Sequence, residues 1–184
     1  MTGPGMNSLA LFTDVSLNPH RRLGVGATLL VPASFLHSAP DAIQRDEILA
    51  RLRFMRVSDT SSTKLEVQTV LWALEDYRME LNGFDPGNLQ LYTDSQCVVG
   101  LLERRAGLEA KGFVAGRSGQ PLANASLYQA FYAAHDKFGF EPIKVVGHSR
   151  AVSHNSVQRI FSLVDKAARR ELKLWLGETG QEIG

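Results

Sequence analysis

Two short, largely apolar runs close on the same dipeptide: Leu9-Ala10-Leu11-Phe12-Thr13 leads into Asp14, and Leu89-Gln90-Leu91-Tyr92-Thr93 leads into Asp94. Runs of this length and composition read as strands. In open sheets ligands gather at the carboxyl ends of strands, so two aspartates in this position can face one site. Each has an ordinary explanation when taken alone, a turn or a helix cap, and Asp94 ahead of Ser95-Gln96 suits an N-cap well. Their repetition constrains the chain more strongly, because it asks for a sheet in which two strands end side by side.

The remaining elements fit such a sheet. The pattern predicts strands over 8–13, 23–31, 54–57, 89–93 and 143–146, with a turn at Asn18-Pro19. Helices are predicted over 42–52, 62–80, 95–103, 124–138 and 155–176. In the second of these, Val67, Val70, Leu74 and Tyr77 fall on one stripe at helical spacing. Gly83 and Asp85-Pro86-Gly87-Asn88 mark a turn. Gly24 and Gly26 inside a strand suit close packing or a bulge. Hairpin strands followed by helix-strand alternation give an α/β domain, a mixed sheet with antiparallel and then parallel strands, flanked by helices.

A chain of 184 residues holds one domain with a core and is short for two. With 44% hydrophobic and 21% charged residues it is neither disordered nor coiled coil. A single domain over 1–184 is expected, with 1–7 and 177–184 as flexible tails and a loop bracketed by Pro32 and Pro40. The net charge of +1 does not by itself point to nucleic acid, although clustering of basic residues matters more than their sum. Cys97 is the only cysteine, so no disulfide forms within the chain, and a reducing, cytoplasmic setting is expected. No apolar run approaches the ~20 residues of a membrane span, and no secretory signal is expected.

Two further carboxylates stand in unusual places. Glu66 lies about 40° from Val70 on the helical wheel, inside the apolar stripe. A carboxylate facing a sheet needs a partner, a metal ion or a cationic side chain. Its alternative is a capping box with Thr63. Asp165 falls at the edge of the face defined by Val157, Phe161, Val164, Ala168 and Trp175, and its alternative is an ion pair with Arg169 at i+4. Taken together, four carboxylates suit hard divalent cations such as Mg²⁺, which keep room for waters and phosphates. Two such ions can activate a water and stabilise the leaving oxygen of a phosphodiester. The sequence offers no Cys/His zinc cluster, no phosphate-binding P-loop and no Gly-x-Ser-x-Gly elbow.

The ordered motifs resemble the ribonuclease HI family. Leu11-Phe12-Thr13-Asp14-Val15-Ser16, Thr63-Lys64-Leu65-Glu66 and Leu91-Tyr92-Thr93-Asp94-Ser95-Gln96 are similar to its three leading acidic motifs. Lys144-Val145-Val146-Gly147-His148 and Asp165-Lys166-Ala167-Ala168-Arg169 are similar to its catalytic-loop strand and final helix. The resemblance covers about 9–172. It implies a ribonuclease H-like fold and two Mg²⁺ ions, with Mn²⁺ as a possible substitute. Asp14, Glu66 and Asp94 would hold one ion, and Asp14 with Asp165 the other. It also implies a proton-transfer or product-release role for His148, with His154 as second choice.

The implied activity is endonucleolytic hydrolysis of the RNA strand of RNA–DNA hybrids, without sequence preference, by a monomer. Arg104, Arg105, Lys111 and Arg117 fall in the family's basic handle, here 104–119. Asn18, Ser62, Thr63 and Asn124 match substrate-side positions. Four departures stand out: hydroxyls at Ser62 and Thr63 where asparagine is common, His20-Arg21-Arg22 where small residues are common, an insertion over 33–53 that lengthens the path to Glu66, and 17 positions between His148 and Asp165. Two other readings share the fold, a non-catalytic hybrid-binding module and a different nuclease such as a 3′-exonuclease or a resolvase. The exonuclease pattern has Asp-x-Glu on the first strand, which Asp14-Val15-Ser16 lacks.

Overall fold

A computed structural model of the chain describes residues 8–146 and 155–181. Among these, five strands form one sheet in the order β3-β2-β1-β4-β5. Strands β1 (Leu9–Asn18), β2 (Leu23–Pro32) and β3 (Arg53–Ser58) are antiparallel neighbours. Strands β4 (Leu89–Thr93) and β5 (Glu141–Lys144) add on in parallel to β1. The helices are α1 (Arg45–Arg51), α2 (Ser62–Asp76), α3 (Arg78–Leu81), α4 (Gln96–Ala110), α5 (Ala125–Phe138) and α6 (Ser156–Gln181).

Strand alternation divides the core in two. Leu9 and Leu11 of β1, with Leu89 and Leu91 of β4, face a cluster built from α2 to α5, including Val70, Leu74, Leu101 and Phe131. Ala10 and Phe12 face the other way, onto Ile160, Phe161, Val164 and Ala168 of α6. Central β1 is therefore buried on both faces. The insertion packs on the α6 side through Ile43 and Ile48. It is also tied to the start of α6, where Ser156 Oγ donates to the Ser38 carbonyl and the Arg159 guanidinium donates to the Ile43 carbonyl at 3.4 Å.

Several predicted boundaries move, each for a local reason. β1 does not end at Asp14 but continues to Asn18, because pairing with β2 persists through Asp14↔Ala27 to Asn18↔Leu23. Pairing with β4 does stop, at Phe12↔Tyr92. The helix expected over 62–80 breaks at Tyr77, whose ring is buried (3% exposed) beneath the Arg53 guanidinium at 4.1 Å. The helix expected to stop at 103 runs on to Ala110, and Ser95 caps it from outside. The expected helix over 42–52 is shorter and is preceded by 3-10 turns at Ala33–His37 and Pro40–Ala42. β5 starts two residues early, at Glu141, since Pro142 is tolerated on an edge strand. Residues 177–181, expected in a flexible tail, continue α6, where Arg56 of β3 grips Glu171 and Glu178 at 2.8 and 2.6 Å.

The two strand glycines have a packing role. A Cβ on Gly26 would meet Thr69 Oγ1 at 2.3 Å, and one on Gly24 would meet Leu65 Cδ2 at 2.4 Å. Thr69 is pinned by its own hydrogen bond to the Leu65 carbonyl at 2.7 Å and cannot easily yield. α2, which carries Glu66, therefore lies closer to β2 than any other residue would allow. Gly26→Ala is expected to lower stability by about 1–3 kcal/mol in denaturant unfolding. An unchanged midpoint would show that α2 has room to move.

Candidate active site

Parity along β1 and β4 assembles the site. Phe12 and Tyr92 are register partners, and their rings stack at 4.9 Å and 15°. Two residues further on stand Asp14, still within β1, and Asp94, just past the end of β4, at the point where the two strands part. Asp14 lies on the α6 face, buried at 7% exposure, while Asp94 is exposed just ahead of the α4 cap. α6 brings in Asp165, half-buried, close enough to Asp14 to add to the upward push on its carboxyl. Asp165 also accepts from Arg169 Nε at 3.0 Å, so the i+4 ion pair exists alongside the contact with Asp14.

This crowding has an electrostatic consequence. Burial, above all, with the charge of Asp94 and then the charge and hydrogen bond of Asp165, pushes the Asp14 carboxyl up to about 8. The Val15 backbone opposes the shift only in part.

Glu66 approaches from α2. It forms no capping box: Ser61 occupies the N-cap and makes no side-chain cap bond. The Glu66 carboxylate accepts instead from Ser95 Oγ at 2.5 Å and from Ser62 Oγ at 3.3 Å. Ser95 Oγ in turn accepts from Val98 N at 3.1 Å, so one hydroxyl caps α4 and fixes Glu66.

Among the described residues no three His, Cys, Asp or Glu side chains stand together as a formed metal cage. The donor set nevertheless fits a hard divalent cation. It is all carboxylate, and the Asp14 carboxyl is pushed up first by burial and then by the charges of Asp94 and Asp165, a penalty on its ionised form that a cation would offset. Asp14, Asp94 and Asp165 are the group brought together electrostatically, with Glu66 set by the adjoining serines. His148 and His154 lie outside the described residues.

The substrate-side candidates separate. Thr63 and Arg104 line one open groove of about 530 Å³, together with Gln96, Cys97, Gly100, Glu103 and Tyr128. Arg104 lies over the Tyr128 ring at 5.6 Å. Arg105 is engaged elsewhere, bound to Asp136 at 2.6 and 2.8 Å and to Glu109 at 2.8 Å. Lys111 and Arg117 are exposed, one capping the end of α4 and one in the turn beyond. Phe113, in the same stretch, is buried against Tyr132 at 6.2 Å. Asn124 stands at the α5 N-cap without a side-chain cap bond, and Asn18 Oδ1 accepts from Arg21 N at 3.0 Å to shape the hairpin turn. Ser62 is bound to Glu66.

Sequence reasoning missed Gln96, Gly100 and Tyr128. The signal was present in the spacing 96, 100 and 104, which puts one glycine between two polar side chains on a single helix face.

The RNase H family model matches residues 6–173. The chain belongs to the RNase H family. Solved structures with the same fold include foamy virus protease-reverse transcriptase in three forms. The native enzyme superposes with a TM-score of 0.60 at 14% identity, over 92% of this chain and 21% of that one. The form in complex with RNA/DNA hybrid gives 0.55 at 14%, again over 92% and 21%. The form in complex with dsDNA gives 0.51 at 13%, over 85% of this chain and 90% of that one. The RNase H chain thus spans about a fifth of two of these neighbours. No curated protein sequence gives a significant match.

The raised Asp14 carboxyl makes a stability prediction for this RNase H site. Its folded value, about 8, lies above the ordinary 3.8, so its contribution is fully present below about pH 4 and is lost as pH rises toward 8. In a chelator-containing buffer at pH 8, Asp14→Asn should stabilise the protein by about 1–3 kcal/mol, with the gain vanishing near pH 4. Thermal melts across that range check it, and a loss of stability at pH 8 would contradict the repulsion.

Proposed function

We propose that the chain is a metal-dependent endoribonuclease that hydrolyses the RNA strand of RNA–DNA hybrids, with two Mg²⁺ ions that Mn²⁺ can replace. The observation that carries this reading is the buried Asp14 carboxyl, crowded by Asp94 and Asp165 where β1 and β4 diverge. Membership of the RNase H family supports it, and that family is generally dependent on divalent metal. A foamy virus neighbour of the same fold was solved with RNA/DNA hybrid, in keeping with the substrate proposed here.

In this mechanism Asp14, Glu66 and Asp94 would hold one ion, and Asp14 with Asp165 the other. The ions would supply an activated water and charge neutralisation at the phosphodiester. The protein's own groups do the rest. Ser95 and Ser62 orient Glu66 through their hydroxyls. Asp14, raised by burial and by its acidic neighbours, would ligate as the carboxylate and release its proton to solvent. Arg169 stays beside Asp165 and limits its freedom to rotate. Thr63 and Arg104 line the groove that takes a strand, through contacts to phosphate rather than to base edges. His148 is assigned proton transfer or product release, and the protein is taken to act as a cytoplasmic monomer.

The test is cleavage of labelled RNA within a hybrid, in Mg²⁺ and in Mn²⁺. Loss of a group that only orients a metal ligand costs roughly 10–100-fold, so Ser95→Ala should fall in that range. Asp94→Asn, which removes a ligand, should lose more than about 100-fold. Hybrid binding without cleavage in either metal would favour the non-catalytic module. Progressive 3′ degradation of single-stranded DNA would favour the exonuclease.

A further inference from the structure

Arginines on this domain are mostly neutralised in place. Arg53 is held between Asp76 and Glu80, Arg56 between Glu171 and Glu178, and Arg105 between Glu109 and Asp136. Among the described residues no lysine makes an ion pair, and Lys144 is set apart by a hydrogen bond: its Nζ donates to the neutral Gln96 Oε1 at 2.6 Å.

Its position gives this charge a use. Lys144 ends β5 as the register partner of Thr93, so it stands beside the residue that immediately precedes Asp94. Pairing runs one residue further, with Val145 N donating to the Thr93 carbonyl at 2.8 Å, which fixes the strand end. Gln96, which receives the ammonium, opens α4 and lines the groove that ends at Arg104. An exposed lysine loses considerable rotamer entropy when held in one geometry, and a neutral amide returns little of it. A structural role would be served better by a carboxylate.

The geometry points to Lys144 as a further substrate-contacting residue, its ammonium set by Gln96 to take a backbone phosphate of the strand that runs along the groove toward Arg104. Gln96 and Arg104 are eight residues apart on α4, a rise of about 12 Å. That matches roughly three to four nucleotides at about 3.4 Å of axial rise per strand. Lys144 holds one end of this track, next to the carboxylates, and Arg104 the other. Because an ammonium recognises phosphate as a point charge, the contact adds affinity without reading sequence. The inference rests on the nucleic-acid reading above.

The test is fluorescence anisotropy of a labelled RNA–DNA hybrid without divalent metal, at several salt concentrations, with wild type, Lys144→Met and Lys144→Arg. Lys144→Met should weaken binding several-fold and reduce the slope of log K against log salt by about 0.9, the value of one phosphate contact. Lys144→Arg should keep both. Thermal melts should coincide, since the side chain is exposed. In turnover, Lys144→Met should raise KM and leave kcat close to wild type. Unchanged affinity and salt slope in Lys144→Met would overturn the assignment. A wild type that binds hybrid without cutting it would overturn the proposed hydrolysis and, with the reduced slope in the variant, support Lys144. A wild type that does not bind hybrid would overturn both.

Discussion

The parting of β1 from β4 after Phe12↔Tyr92 governs the site. Up to that pair the two strands share hydrogen bonds, and both faces are sealed by helices. Beyond it β1 stays paired only with β2, so Asp14 remains in a strand while the β4 chain turns away at Asp94 to enter α4. Two carboxylates are thereby left at the mouth of a sheet whose interior is otherwise apolar. α6 adds a third in Asp165, and the Asp14 carboxyl is raised by its burial first and by the charges of these two neighbours second.

The scaffold around that opening is stiff in the places that matter. Gly24 and Gly26 let α2 settle onto β2, which sets the depth from which Glu66 enters. Ser95 then serves both α4 and Glu66 with one hydroxyl. On the opposite face, the insertion holds the start of α6 through the Ser38 and Ile43 carbonyls, and Arg56 of β3 holds its far end, bound to Glu178 and lying over the Trp175 ring. Asp165 sits between these two anchors. The arrangement fits a site whose carboxylates must stay close against their own repulsion.

Much of this was legible in the sequence, for identifiable reasons. The repeated Thr-Asp endings marked Asp14 and Asp94, and the inward phase of Glu66 set it apart from a cap residue. The ion pair of Asp165 with Arg169 was also legible from i+4 spacing, but its contact with Asp14 was not, since it depends on how α6 crosses the sheet. Arg105 looked like one more cation of a basic segment. Only the fold reveals Asp136, 31 positions away, as its partner. The role of Lys144 was hidden for the same reason: Gln96 is 48 positions distant and meets it through parallel pairing of β4 and β5. Local periodicity reports faces and ends; it does not report which distant charges those faces bring together.

Crowding of these carboxylates, and its relief by a divalent cation, can be measured without any substrate. Calorimetric titration of Mn²⁺ into the protein at pH 7, repeated in buffers of different ionisation enthalpy, counts the protons released on binding. A carboxyl raised to about 8 is mostly protonated at pH 7 and must ionise to ligate. Release of about one proton is expected at pH 7, falling toward zero by about pH 9.5. Binding without proton release at pH 7, or no binding at all, would contradict it.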